Sequence, residues 1–184
     1  QTRRPADHLP HTSTRHTFRA GTGPARDNLR LTRLPLVQLH CPPDGVYEAD
    51  ATFAALDAMV ADGLIDHYGV SVETCAQALA AIARPHVASV QIILNAFRQK
   101  PVERVLPAAV QAGVGILARV PLASGLLSGR YTRATTFAAD DHRSYNRHGE
   151  AFDGGETFPG VQDETGVDAA RGFGAQGGAS AAAA

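Results

Sequence analysis

Residues 34–72 read LPLVQLHCPPDGVYEADATFAALDAMVADGLIDHYGVSV, and this stretch decides the fold. The apolar run 34–39 is too short for a helix and suits a buried strand. Pro42-Pro43-Asp44-Gly45 then turns the chain, because proline fixes φ and glycine accepts conformations that other residues avoid. In ATFAALDAMVADG, Phe53, Leu56 and Val60 recur at helical spacing, and Gly63 is placed to end that helix. A second strand pattern, 65–72, follows directly. Strand, helix and strand in succession predict a βαβ unit, in which the helix carries the chain back so that the two strands run parallel.

The pattern continues downstream. TCAQALAAIA (74–83) predicts a helix with Thr74 as its cap, ASVQIILN (88–95) a third strand, and VERVLPAAVQAG (102–113) a helix closed by Gly113. GILARV (115–120) is a fourth strand that leads into PLASGLLSGR. Four strands alternating with helices at this spacing fit a (β/α) barrel or a doubly wound sheet.

The ends are different in texture. Residues 1–26 are rich in Arg, His, Thr, Pro and Gly, with Leu9 and Phe18 almost the only large apolar side chains, so a disordered or irregular N-terminal segment is expected. Basic tails of this kind sometimes bind nucleic acid, but stacking aromatics are not interleaved here. Beyond Arg130 the periodicity fades into a long polar loop, and residues 166–184 form a Gly/Ala-rich tail that adds at most one frayed helix. The expected organisation is therefore 1–26 irregular, 27–165 globular and 166–184 tail.

Composition narrows the function classes. With 184 residues, 44% hydrophobic and 19% charged, the chain can bury one sizeable core, and one domain is expected. A net charge of -1 gives no field to hold phosphate backbones or anionic lipid, so neither nucleic acid nor membrane is an expected partner. Cys41 and Cys75 lack the repeated spacing of a disulfide framework or a CxxC site, which fits a reducing cytoplasm. No apolar run approaches the roughly 20 residues of a membrane helix, and a soluble, cytoplasmic protein is expected.

Chemistry in parallel α/β folds gathers at the C-terminal ends of strands. His40 stands there on the first strand, and spacing alone admits either a reacting group or a structural histidine bonded to the strand-end backbone. Ser71 closes the second strand, Gln91 lies in the third and Arg119 ends the fourth. A hydroxyl and a carboxamide facing one pocket supply the donors and acceptors to hold a ligand amide, though strand-end Ser and Gln also commonly satisfy neighbouring backbone. In PLASGLLSGR, two glycines and two serines let backbone N–H groups approach an anion, with the charge of Arg130 following. GxGxxG is absent. Asp140, Asp141, His142 and His148 sit in a polar loop and read as solvated groups; no metal is expected. Cys41 reads as a packing thiol.

LVQLHCPP, GVSVE, SVQIILNAF and GVGILARVPLASGLLSGR, in this order and on these strands, resemble the fourth to seventh barrel-strand motifs of the aldo-keto reductases. The resemblance covers roughly residues 27–165 and implies an α/β fold: a partial (β/α)8 TIM barrel of about four parallel strands with helices, and irregular N- and C-terminal ends. It also implies NAD(P)H-dependent reduction of aldehyde or ketone carbonyls. By the same resemblance, His40 is the tetrad histidine that orients the substrate carbonyl, and Ser71 and Gln91 hold the nicotinamide carboxamide. Arg119, Val120, Pro121, Leu122, Ala123, Ser124, Gly125 and Leu126 match the loop that packs on the nicotinamide and wraps the pyrophosphate. Arg130 matches a basic residue on cofactor phosphate, and the cofactor is NADP(H) in preference to NAD(H). The loop after the fourth strand would line the substrate mouth or close over the cofactor.

Two positions depart from the family pattern: Val72 stands where a polar residue, often Asn, follows the serine, and Arg119 where an aromatic commonly stacks on the ring. In the family, the proton-donating tyrosine and its lysine and aspartate precede the histidine. Here Tyr47, Tyr68, Tyr131, Tyr145 and the lone Lys100 all follow His40. Nor does the tail match the eighth strand and its 2′-phosphate motif. The sequence therefore reads as a truncated representative, or as a cofactor- or partner-binding fragment without catalysis; it leaves the oligomeric state open.

Overall fold

The computed structural model describes residues 15–141 and 163–177. Helix α1 (Arg15–Leu29) is followed by β1 (Leu34–His40), α2 (Asp44–Glu48), α3 (Asp50–Ala61), β2 (Ile65–Ser71), α4 (Cys75–Ile82), β3 (Val87–Ile93), α5 (Lys100–Ala112) and β4 (Gly115–Arg119). A 3₁₀ segment, Ala123–Ser128, and helix α6 (Asp163–Gly177) complete it. The strands form one sheet in the order β1-β2-β3-β4, an α/β arrangement of parallel strands alternating with helices.

Strand alternation separates the two faces of the sheet. Val37, Leu39, Tyr68, Val70, Val90 and Ile92 turn toward the helices and are buried with Phe53, Leu56 and Met59 of α3, Ala78, Ala81 and Ile82 of α4, and Val105 and Ala109 of α5. Truncating a side chain such as Leu56, with no exposed surface, costs about 2–5 kcal/mol in a core of this kind. The register Gln38↔Gly69, His40↔Ser71, Gly69↔Ser89 and Ser71↔Gln91 puts these residues together on the opposite face. That face is polar in its centre: Gln38 Nε2 donates to Ser89 Oγ at 3.4 Å, and both side chains are buried. Gly69 makes room for the pair, because a Cβ there would lie 2.3 Å from Ser89 Oγ and 2.5 Å from its carbonyl oxygen. Toward the strand starts the face opens, with Leu36 40% exposed. On β4, a Cβ at Gly115 would lie 4.0 Å from that of Ser89. Leu117, 42% exposed, therefore shares the same face by alternation.

The Leu34 N–H donates to the Leu64 carbonyl at 3.1 Å. By alternation the Pro35 nitrogen and the N–H groups of Val37 and Leu39 point the other way, to the edge that no described strand occupies. Proline is tolerated there because no ladder partner claims its missing donor.

Helix ends follow local chemistry. Thr74 and Gln77 form a capping box on α4: the Thr74 hydroxyl accepts from the Gln77 N–H while Gln77 Oε1 accepts from the Thr74 N–H. Gln77 Nε2 also donates to Asp44 Oδ1 at 2.7 Å, which ties α2 to α4. Gly63, at φ 69°, ends α3 as the sequence predicts.

Three local expectations change. Proline and glycine at 42–45 predict only a turn, but the chain continues into the short helix α2. On α3 the buried positions are Thr52, Phe53, Leu56 and Met59, whereas Val60 lies on the exposed side. Residues 15–26, expected to be irregular, belong to α1. Its few apolar atoms suffice because Phe18 enters the core, Thr22 bonds back to the Phe18 carbonyl at 2.9 Å, and Arg15 and Arg19 both pair with Asp62 after α3. Tertiary anchoring of this kind overrides weak helix propensity. The Gly/Ala-rich tail carries the one helix its sequence allows, through Gly177.

The described residues divide into two compact units: one takes those up to Ile92 with Val102–Leu117, and the other takes Ile93–Pro101 with those from Ala118 onward. The first holds the sheet core. The second has its own cluster, in which Ala123, Leu126 and Leu127 pack with Val167 and Ala170 of α6 and with Phe97 and Tyr131. Arg133 fastens α6 by pairing with Asp168, with Nε on Oδ1 at 3.3 Å and a second, shorter contact from Nη2. This hydrogen bond holds the Asp168 carboxyl below the usual carboxylate range.

Candidate functional site

In the first unit, three strand ends bring His40, Ser71 and Gln91 into one row across β1, β2 and β3. Ser71 is its centre and has no exposed surface. Its Oγ accepts from Gln91 Nε2 at 3.3 Å and lies 3.7 Å from Cys41 Sγ. Its carbonyl accepts from the Cys41 N–H at 2.9 Å and, at 3.4 Å, from the hydroxyl of Tyr47 on α2. Immediately after His40 the chain turns sharply, because Cys41 adopts φ 45°, a left-handed conformation that costs a non-glycine residue about 1–2 kcal/mol. Cys41 is buried, as a packing thiol should be, and the Val72 N–H donates to the Gln91 carbonyl at 2.8 Å. Row and turn are thus set by backbone pairing, which makes the positions of the polar groups rigid.

In the second unit, Arg119 ends β4 and its carbonyl accepts from the Leu94 N–H at 3.2 Å. The Val120 carbonyl accepts from Asn95 Nδ2 at 3.1 Å. Beyond it the backbone is left-handed at Val120, Ala123, Ser124, Gly125 and Gly129, with φ of 55, 48, 55, 94 and 71°. Such runs turn successive N–H groups to one side and form concavities for anions. Pro121 and Leu122 lead into this turn, Leu126 and Leu127 anchor it in the apolar cluster, and Arg130 follows it. The Ser128 hydroxyl donates to the Gly125 carbonyl at 2.6 Å and accepts from the Arg130 N–H at 3.3 Å, which closes the turn. The Tyr131 hydroxyl lies against Gly125, and a Cβ there would approach it to 2.4 Å.

Within the first unit the expected row is assembled; Arg119 to Leu126 and Arg130 form the turn of the second. The supporting roles of Tyr47 and Asn95 had no sequence signal, and neither did left-handed backbone at Val120 and Ala123; Gln77 stands three residues after Thr74, the spacing of a capping box. Pro121 and the two glycines of 121–129 hinted only at a turn. Asp140 is exposed and Asp141 half-buried, while His142 and His148 lie outside the described residues.

The aldo/keto reductase family model matches residues 8–184. The chain belongs to the aldo/keto reductase family. Among solved aldo/keto reductases, the chain is similar to the glycerol dehydrogenase AKR11B4 from Gluconobacter oxydans, at 27% identity and a TM-score of 0.70 over 92% of this chain and 50% of that one. The holo form of AKR11C1 from Bacillus halodurans shares the fold at 22% identity and a TM-score of 0.60, over 70% and 42% of the two chains. An aldo/keto reductase from Klebsiella pneumoniae, solved with NADP and acetate, does so at 22% identity and a TM-score of 0.55, over 66% and 42%. The chain therefore spans about half the length of the solved aldo/keto reductases it matches. No curated protein matches it. Among the described residues, no helix is long and apolar enough to cross a membrane.

Proposed function

We propose that this chain is the nicotinamide-holding part of an NAD(P)H-dependent aldo/keto reductase acting on aldehyde or ketone carbonyls. The observation that carries this reading is the row His40, Ser71 and Gln91, in register at the ends of three parallel strands. A carboxamide needs both acceptors and donors, and the adjoining Ser71 hydroxyl and Gln91 amide are chemically suited to it. The left-handed turn over 120–129 suits a pyrophosphate, with Arg119, Val120, Pro121, Leu122, Ala123, Ser124, Gly125 and Leu126 wrapping it and Arg130 adding charge.

When bound, the nicotinamide supplies the hydride. His40 orients the substrate carbonyl, Ser71 and Gln91 fix the face of the ring, and the fully buried Val72 removes one polar contact that the family commonly has. Arg119 brings a planar cation where an aromatic usually stands, which disfavours the oxidised, positively charged ring. NADP(H) is preferred over NAD(H), a reading supported by the Klebsiella relative solved with NADP. Two free cysteines are compatible with a cytoplasmic site of action.

Because the 184 residues match only the histidine of the tetrad, cofactor binding without turnover is the second reading. Titrating the purified chain with NADPH and NADH, following cofactor fluorescence, tests the binding; a panel of aldehydes and ketones then tests turnover. Binding with NADPH tighter than NADH is expected. Failure to bind either cofactor would overturn both readings, and turnover would overturn the second.

A further inference from the structure

We infer that, on the reading of the turn over 120–129 as a pyrophosphate holder, Asn95 is its positioning residue: by gripping the Val120 carbonyl it keeps the turn in the shape that takes an anion. Val120 is β-branched and precedes Pro121, two reasons to remain extended, yet it stands at φ 55°. Such a conformation persists only where the surroundings over-determine it. Just before it, the Leu94 N–H holds the Arg119 carbonyl at 3.2 Å. The Val120 carbonyl then accepts from two donors, the Ala123 N–H at 3.0 Å and Asn95 Nδ2 at 3.1 Å. A carbonyl oxygen has two lone pairs, so both are engaged and the peptide is kept from flipping.

Asn95 is itself fixed. It is buried, and its Oδ1 accepts from the N–H groups of Phe97 at 2.9 Å and Arg98 at 3.0 Å. These partners settle which end of the amide is which, because backbone N–H groups need the oxygen and a carbonyl needs the nitrogen. The side chain therefore ties the turn at 95–98 to the turn over 120–129, both within the second unit. Ala123, Ser124 and Gly125 continue the left-handed run, so a shift at Val120 re-aims the N–H groups that follow.

Calorimetric titration of the 184-residue chain with inorganic pyrophosphate tests this through Asn95→Asp, which still accepts from Phe97 and Arg98 but has no donor for Val120. A loss of affinity of about tenfold is expected. Made on top of Val120→Gly, where glycine takes a positive φ without steric cost, the same substitution is expected to lose less than about threefold. An equal loss in both backgrounds would mean that the new carboxylate acts only by its charge, and it overturns the inference; so does unchanged affinity in Asn95→Asp. A parent chain that binds neither pyrophosphate nor NADPH overturns the reading of the turn, and this inference with it. Should the variants not fold by circular dichroism, amide exchange of the unaltered chain, followed by nuclear magnetic resonance, decides. The Asn95 side-chain amide must exchange more slowly than that of the exposed Asn28, and more slowly still with pyrophosphate bound, because coupling between clamp and anion is reciprocal. Exchange as fast as at Asn28, or indifferent to pyrophosphate, refutes the clamp.

Discussion

Gln91 donates its Nε2 to Ser71 Oγ at 3.3 Å across two neighbouring strands whose Cα atoms stand in register. Ser71 in turn stands in register with His40. Groups carried on paired strands keep their spacing better than groups on loops, so the row presents a fixed set of donors and acceptors.

If this pair holds the nicotinamide carboxamide, Gln91→Ala weakens NADPH binding roughly five- to tenfold, the equivalent of about one hydrogen bond. A ligand without the nicotinamide that suits the turn over 120–129, such as inorganic pyrophosphate, should bind the variant and the parent alike. Equal losses for both ligands in a fluorescence or calorimetric titration would count against the assignment.

Gly69→Ala is expected to destabilise the first unit by about 1–3 kcal/mol, as overpacking does. The obstacle at 2.5 Å is the Ser89 backbone oxygen, which no rotamer change can move aside. Urea unfolding should show a lower midpoint with an unchanged slope. Adding Ser89→Ala should recover little of the loss.

Gly125→Ala combines two penalties: a φ of 94° and a Cβ pressed against the Tyr131 ring. The first costs about 1–2 kcal/mol by itself. Pairing it with Tyr131→Ala removes the second alone. Cofactor affinity is therefore expected to fall in the single variant and to return only in part in the double one.

Tyr68 is buried and its hydroxyl donates to Asp57 Oδ1 at 2.7 Å. Burial first, and the Asp57 hydrogen bond second, push its pKa above the ordinary phenol range. The folded chain therefore keeps this proton longer than the unfolded one does. The stability it contributes is whole below about pH 10 and declines as pH rises beyond it. Tyr68→Phe should cost about 0.5–1.5 kcal/mol near neutrality. Its loss on alkaline titration should be shallower than that of the parent, read by circular dichroism and tyrosinate absorbance.

Much of the sheet was legible because short apolar runs and helix punctuation act locally. The predicted strands at 34–39, 65–72, 88–95 and 115–120 each match a strand within two residues, and Thr74 and Gly63 end their helices as their chemistry dictates. The positions of His40, Ser71 and Gln91 at strand ends followed from the same signals. What escaped depends on distant partners. Helix α1 owes its order to Asp62 and the core around Phe18, neither of which its own composition contains. Met59 rather than Val60 faces inward because the buried stripe on α3 runs at steps of three. Left-handed backbone at Cys41, Val120 and Ala123 is imposed by neighbours against residue preference. Sequence could not have announced it.

Pro35 has a further consequence for the chain as it leaves the ribosome. The strand Leu34–His40 is largely apolar and emerges before β2, β3 and β4, which makes it a natural seed for indiscriminate strand stacking. A proline near its start, on the side that no described strand occupies, denies one hydrogen bond to whatever joins from that side and so acts as a gatekeeper against misassembly. Replacing it with valine would be expected to leave the native sheet intact while raising losses to inclusion bodies.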